Sequence, residues 1–146
     1  MICVLDAPAL ASWLRQAPIF ARRGDRLLLC APYVEPRVLT ALGIASAPNV
    51  GVFTGDASAG PLRATLRRAD ATVSVVQHLH AKVYALCTPE QERTEVVVTS
   101  ANLTSSGLSR NRELGILARG DTPQGLRIVR EVERFLAGCT PFRRFP

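Results

Sequence analysis

The sequence predicts an α/β fold with a largely buried sheet, and three observations carry that prediction. Helical and extended patterns alternate along the chain. The extended runs are continuously apolar, as in Leu27, Leu28, Leu29 and Cys30 and again in Val96, Val97 and Val98, which suits strands covered on both faces. Helix starts carry capping chemistry, in Asp6-Ala7-Pro8 and Thr122-Pro123. A chain of 146 residues with 47% apolar content can bury a core without disulfides or a structural metal, so residues 1–146 are read as a single domain.

The elements follow in order. Leu10, Trp13, Leu14 and Ala17 repeat at helical spacing after the Asp6 cap. Residues 26–30 read as a buried strand, Glu35-Pro36 opens a short helix through Val38, Leu39 and Leu42, and residues 50–54 form a strand. Pro61 is placed at the first position of another helix, with Leu62, Leu66 and Ala69 inward and Arg63 and Arg67 sharing the outer side. Residues 72–76 read as a strand and residues 80–87 as a second one. A polar turn at 89–93 precedes a strand at 95–99, a Gly-containing loop at 100–111 and a strand at 113–118. The last helix runs from the Thr122 cap to Gly138, with Ile128, Val132 and Phe135 along one side, and a loose tail at 142–146 follows.

The net charge is +6, a balance that favours polyanionic partners such as nucleic acid or an anionic membrane surface. No apolar run is long enough to span a bilayer, so integral membrane association is not expected. The first residues lack a basic leader with an apolar stretch, and cytoplasmic placement is the expectation. Cys3, Cys30, Cys87 and Cys139 show no C-x-x-C spacing and read as buried free thiols. There is no Walker loop, G-x-G-x-x-G or G-x-S-x-G elbow, and Asn102-Leu103-Thr104, formally a glycosylation acceptor, is idle in a cytoplasmic chain.

The rare ionisable residues cluster. Seventeen basic residues are arginine, and the one lysine, Lys82, lies within five positions of both histidines, His78 and His80. A compact ammonium differs from a guanidinium in what it can hold. If residues 78–85 are extended, His78, His80, Lys82 and Tyr84 share one face, and the apolar Leu79, Ala81, Val83 and Ala85 share the other. Such a strand would present polar groups into a cleft; the bland alternative is an exposed strand with incidental polar residues. Ser100 and Asn102 leave the next apolar strand with matching parity, where an ordinary Asn turn is the alternative. Glu113 stands at the start of a further strand.

Together, His80-Ala81-Lys82, Ser100-Ala101-Asn102-Leu103-Thr104, Gly107-Leu108 and Asn111-Arg112-Glu113-Leu114-Gly115 resemble the single-motif, nuclease-like branch of the phospholipase D superfamily. The resemblance is specific over residues 78–115. It implies a phospholipase D-like mixed or parallel sheet flanked by helices on both faces. It also implies a phosphodiesterase, foremost a nuclease acting on DNA or RNA without metal or cofactor. His80 would attack phosphorus and form a covalent intermediate, while a second histidine protonates the leaving oxygen and then activates water. An imidazole free in water titrates near ~6.5, so neutral and protonated rings can coexist near neutrality. Lys82 and Asn102 would hold the non-bridging oxygens, Ser100 and Thr104 are candidate substrate contacts, and Glu113 would fix an imidazole tautomer. His78 is open between a phosphate contact, an ordinary exposed histidine and half of a metal pair lacking a third ligand.

The mechanism needs two H-x-K motifs and the chain holds one, so the resemblance implies a homodimer with the site on its two-fold axis. Two positions depart from the pattern: Cys87 stands where the superfamily usually has aspartate, and Thr99 stands where it has glycine before the serine. Thr99 is expected to narrow the phosphate pocket. The alternatives are a phospholipid or other small-phosphodiester hydrolase, which should show an apolar rim, and a catalytically weak nucleic-acid-binding domain.

Overall fold

The computed structural model describes residues 1–139. Strand β1 (Ile2–Asp6) runs directly into helix α1 (Ala7–Phe20). Then β2 (Arg26–Ala31), α2 (Pro36–Ala41), β3 (Val50–Thr54), α3 (Asp56–Thr65) and β4 (Ala71–Val75) alternate. Strands β5 (Val83–Cys87), β6 (Glu95–Thr99) and β7 (Leu114–Arg119) follow, with α4 (Ser105–Ser109) before β7 and α5 (Pro123–Gly138) after it. One seven-stranded sheet has the order β1-β7-β6-β5-β2-β3-β4. The βαβ half, β2, β3 and β4, is parallel, and the remaining neighbours pair antiparallel.

Period-two alternation divides the buried side chains between two layers. Leu27, Leu29, Val50, Val52, Tyr84 and Val97 meet Leu10 and Leu14 of α1, Leu39 of α2 and Leu62 of α3. Leu28, Cys30, Val83, Ala85, Val96 and Ala118 meet Val129, Val132 and Leu136 of α5 on the opposite face. The sheet therefore carries helices on both faces, as the sequence predicts. The Asp6 carboxylate accepts the Ala9 N–H at 2.9 Å, and the Thr122 hydroxyl accepts the Gly125 N–H at 3.1 Å. These are the caps that the sequence shows, each worth about 1 kcal/mol.

Four local readings need correction. Helix α3 begins at Asp56, not Pro61, because Asp56, Ala57, Ser58, Ala59 and Gly60 form its first turns without an apolar stripe to betray them. It ends at Thr65, so Arg67 lies beyond it and Ala69 is exposed rather than inward. On α5 the buried stripe is Val129, Val132 and Leu136, one step round from the expected line, and Phe135 is exposed. The loop at 100–111 contains the short helix α4, and β1 is an edge strand that the sequence reading passed over. The tail at 142–146 lies outside the described residues.

The largest correction concerns residues 80–82, which are not part of a strand: β5 begins only at Val83. Strand β4 ends on the sheet edge where β5 starts, but β3 and β2 lie between them. The connection must cross three strand spacings, about 14 Å at ~4.8 Å each. Seven residues, 76–82, make that crossing laterally along the strand ends rather than up the sheet. His78 sits at its tip with φ +54°, a left-handed conformation that few non-glycine residues adopt.

Candidate active site

The lateral crossing puts His80 and Lys82 on the rim of the sheet. Leu79 and Ala81 pack against the α5-side core that also holds Val83 and Ala85, so the apolar face expected for this segment is present. The polar face is not continuous: Tyr84 is wholly buried in the opposite core, while His78 and His80 are exposed on the loop. The Lys82 ammonium donates to the His80 carbonyl at 3.1 Å, which folds the ammonium back over the histidine's own backbone.

Three strand ends meet beside this loop. Thr99 N–H donates to the Lys82 carbonyl at 3.0 Å, and Ser100 N–H donates to the Leu114 carbonyl at 3.1 Å. Lys82, Thr99-Ser100 and Glu113-Leu114 are thus neighbours across β5, β6 and β7. The Ser100 hydroxyl donates to the Glu113 carboxylate and accepts the Leu114 N–H at 3.2 Å. Asn111 Nδ2 also donates to Glu113, at 3.1 Å. Among the described residues Glu113 makes no carboxylate–imidazole bond of the kind expected; the carboxylate is turned onto Ser100 and Asn111.

Asn102 is held outward by its neighbours. Ala101 and Leu103 on either side are fully buried, and Leu103 bridges to Val34. The buried Tyr84 hydroxyl donates to the Ala101 carbonyl at 2.6 Å. Burial first, then the proximity of Cys30 and Glu113, holds that phenol far above its usual range, so it remains a donor. Gly107 of α4 lies against the Asn102 backbone, where a Cβ would come within 2.4 Å of the Asn102 carbonyl. Asn102 Oδ1 accepts the Tyr33 N–H at 3.4 Å. With the amide oxygen accepting from Tyr33, the amide nitrogen keeps its two protons for other acceptors.

The remaining predicted positions fall as follows. Thr104 caps α4 by accepting the Gly107 N–H at 3.1 Å, a structural task for a residue expected to touch substrate. Thr99 does not project as a bare obstruction: its hydroxyl donates to the Leu114 carbonyl at 3.0 Å and accepts the Ala101 N–H at 3.2 Å. Its cross-strand partner is Gly115, where a Cβ would stand 3.1 Å from the Thr99 Cβ, so the missing side chain there makes room for the extra one here. Cys87 lies at the far end of β5, about 17 Å along the strand from Lys82, and packs against the α5-side core. Burial pushes its thiol up to about 11. His78 is exposed on its turn, and among the described residues no group of three or more His, Cys, Asp or Glu is placed to hold a metal ion. Sequence reasoning missed Tyr33; it placed Tyr84 on the polar face, whereas the structure buries it in the opposite core, and it included Gly107 in the motif without its packing against Asn102.

A sheet with a parallel β2-β3-β4 half and an antiparallel half in this order has solved counterparts. NucT from Helicobacter pylori superposes with a TM-score of 0.67 at 15% identity, covering 97% of this chain and 99% of that one. The fold is that of the phospholipase D superfamily. Nuc from Salmonella typhimurium, a phospholipase D family member, gives a TM-score of 0.65 at 14% identity over 95% of this chain and 91% of its own. Yeast tyrosyl-DNA phosphodiesterase gives 0.56 at 10% identity, over 81% of this chain and 31% of that one. No protein-family model and no curated protein matches the sequence. At these identities the likeness establishes the fold alone.

The rim adjoins an apolar surface. Val4, Ile116 and Val98 lie opposite one another across β1, β7 and β6, and all three are exposed. Leu114 is 62% exposed on the same face. Next to them a groove of about 420 Å³ runs between the sheet and α5, walled by Ala81, Val83, Val98, Ile128, Val132 and Phe135. Helix α5 covers only part of its side of the sheet.

Proposed function

We propose that this protein is a metal-independent phosphodiesterase, a nuclease cutting DNA or RNA through a phosphohistidine intermediate in a homodimeric site. The observation that carries the reading is the gathering of His80, Lys82, Asn102 and the Ser100–Glu113 pair at one rim from three separate stretches of chain. The likeness to Nuc, NucT and tyrosyl-DNA phosphodiesterase supports it.

In the first step an imidazole nitrogen of His80 bonds to phosphorus as the bond to one ester oxygen breaks, and the partner subunit's His80 gives that oxygen a proton. In the second step that histidine takes a proton from water. The resulting hydroxide bonds to phosphorus, and the phosphorus–nitrogen bond breaks. Lys82 and the Asn102 amide hydrogens stabilise the charge on the equatorial oxygens. Glu113 uses part of its acceptor capacity on Ser100 and Asn111, and a carboxylate has about four lone-pair sites, so capacity remains for an imidazole.

The dimer follows from counting and from surface. One H-x-K motif per chain supplies half of the histidines the reaction needs. The exposed Val4–Ile116–Val98 row and the α5 groove adjoin the rim, and a second copy covering them across a two-fold axis brings two such rims together. Such an apolar face is otherwise unusual on a monomer. The four free thiols suit a reducing, cytoplasmic compartment. Among the described residues no helix is long and apolar enough to cross a membrane.

The same groove favours a second reading, hydrolysis of a phospholipid or another small phosphodiester whose apolar tail enters beside Ala81. The test is turnover of plasmid, single-stranded DNA, RNA, phospholipid vesicles and bis-nitrophenyl phosphate in EDTA, beside His80→Ala. His80 is exposed, so its removal leaves stability within about 0.5 kcal/mol. Nucleic-acid cleavage that disappears in the variant supports the nuclease; turnover of lipid alone supports the second reading. Binding of nucleic acid without turnover of any substrate identifies a catalytically weak binding domain and refutes both.

A further inference from the structure

We infer that Tyr33 is a base-stacking platform that makes this site select unpaired nucleotides, an inference that rests on the nuclease reading. Tyr33 lies on the short loop between β2 and α2, and the residue is 59% exposed. A lone exposed aromatic ring is ordinary on a protein surface. This one differs in what its backbone does. Its N–H donates to Asn102 Oδ1, so the ring is carried by the residue that orients the phosphate-holding amide.

The loop around it is pinned on both sides. The Pro32 carbonyl accepts the Gly55 N–H at 3.1 Å and the Thr54 hydroxyl at 3.3 Å. Val34 N–H donates to the Ser58 hydroxyl at 3.1 Å, and Glu35 N–H donates to the Leu103 carbonyl at 2.9 Å. Gly55 is part of the fit, since a Cβ there would come within 2.8 Å of the Pro32 carbonyl. Fixed backbone and free ring together describe a preorganised surface, with the ordering cost of the loop met in the unbound protein.

The chemistry that recognises such a surface is the face of a nucleobase. A phosphate held at Asn102 and Lys82 places the adjoining nucleoside beside Tyr33. Stacking there needs the base out of its helix, because a paired base already has its faces covered by its neighbours. Stacking is tolerant of base identity, so the platform reads strandedness rather than sequence. It applies equally to DNA and RNA.

The test compares Tyr33→Ala, Tyr33→Phe and Tyr33→Trp with the native dimer on a labelled single-stranded DNA, its RNA equivalent, the same strand carrying abasic positions around the cut, and a duplex. Tyr33→Ala should lower kcat/KM on the two intact strands by about ten- to a hundredfold, the range of one lost stacking contact. Phe and Trp should retain most activity. On the abasic strand the Tyr33→Ala penalty should vanish, since the base it meets is gone. Binding of the same strands to His80→Ala, with and without Tyr33→Ala, reads stacking independently of chemistry. An equal penalty on intact and abasic strands would show a merely structural role through Asn102, and no penalty on the intact strands would show no role; either overturns the inference. Strands that bind through Tyr33 but are never cut sink the nuclease reading while the platform stands, and strands neither bound nor cut sink both.

Discussion

Removing the Tyr84 hydroxyl tests whether the buried core holds the site in place. Tyr84→Phe keeps the ring and leaves no cavity, so the change is confined to one bond, the 2.6 Å donation to the Ala101 carbonyl. Tyr84 and Ala101 are both fully buried, so no water replaces the donor. Loss of the bond and desolvation of an unpaired carbonyl together cost about 1–3 kcal/mol. For a chain of this size each kcal/mol lowers Tm by roughly 2–4 °C, so a mid-range loss of ~2 kcal/mol is a drop of about 4–8 °C. Because Asn102 follows Ala101 directly, the freed strand end should also misplace the amide that we propose holds the phosphate. Misplacement of that kind is expected to cost kcat about tenfold or more with a smaller change in KM. Thermal melts and steady-state kinetics on a small phosphodiester measure both, with Tyr33→Phe as an exposed-ring control for the melt. A Tyr84→Phe protein that melts with the native one, or that loses stability while keeping full kcat, refutes the claim that this bond anchors the catalytic strand end.

The face proposed to pair the two copies offers a second test: Ile116→Glu places a carboxylate in the middle of the exposed apolar row, and sedimentation is expected to show a dimer for the native chain and a monomer for the variant, with activity falling together with dimer fraction on dilution. A monomeric Ile116→Glu protein with native activity would remove the shared site. The third concerns alkaline stability. Burial, with a smaller contribution from neighbouring Cys139, pushes the Cys30 thiol from 9.0 to about 12. Unfolded chains ionise this thiol near 9, so the stability present below that pH is lost progressively as pH rises toward 12. By pH 11 the loss is about 3 kcal/mol, from roughly 1.4 kcal/mol per pH unit. Denaturant titrations at stepped pH should show a fall of at least this size, and Cys30→Ala should make it shallower without abolishing it, because Cys87, raised to about 11, contributes in the same direction; an identical slope in the variant assigns the loss elsewhere.

Much of this fold is legible in the chain because its core strands are apolar on both sides. Leu27, Leu28, Leu29 and Cys30 announce β2 without reference to anything distant, and Thr122-Pro123 marks the start of α5 by local capping chemistry alone. Strand β1 escaped because an edge strand with one exposed face, Ile2 and Val4, needs only Leu5 firmly inside. Helix α3 began early because small residues carry no periodicity. For the candidate site, His80, Lys82, Asn102, Ser100 and Glu113 are singled out by residue type, spacing and the family resemblance, but their arrangement in space is not legible in the sequence. The alternation argument assumed that 78–84 runs along the sheet, whereas the strand order, a long-range property, makes 76–82 run across it. Tyr33 was invisible for the same reason, and Gly107, though part of the motif, gave no sign of its packing against Asn102: both relations are tertiary contacts with no local signal.

That lateral path has a chemical consequence. A histidine on a strand within the sheet would be fixed in direction by the pleat and enclosed by neighbouring strands. On a crossover along the strand ends, His80 is exposed and hydrogen-bonds to no described residue through its ring, while the bonds of Lys82, Thr99 and Ser100 hold the rim beneath it. A nucleophile that must face an incoming phosphate from one side and a second imidazole from the other needs that freedom. The strands that supply rigidity end where the reaction starts, and the apolar row beside them ends at the same rim. On the proposed mechanism a single chain is half a site: Lys82 and Asn102 would supply the donors for the phosphate oxygens, His80 would be the nucleophile, and the second imidazole would have to come from another copy of the chain. A two-fold axis through that rim would supply that group without adding a residue, so on this proposal the oligomeric state and the chemistry stand or fall by the same measurement.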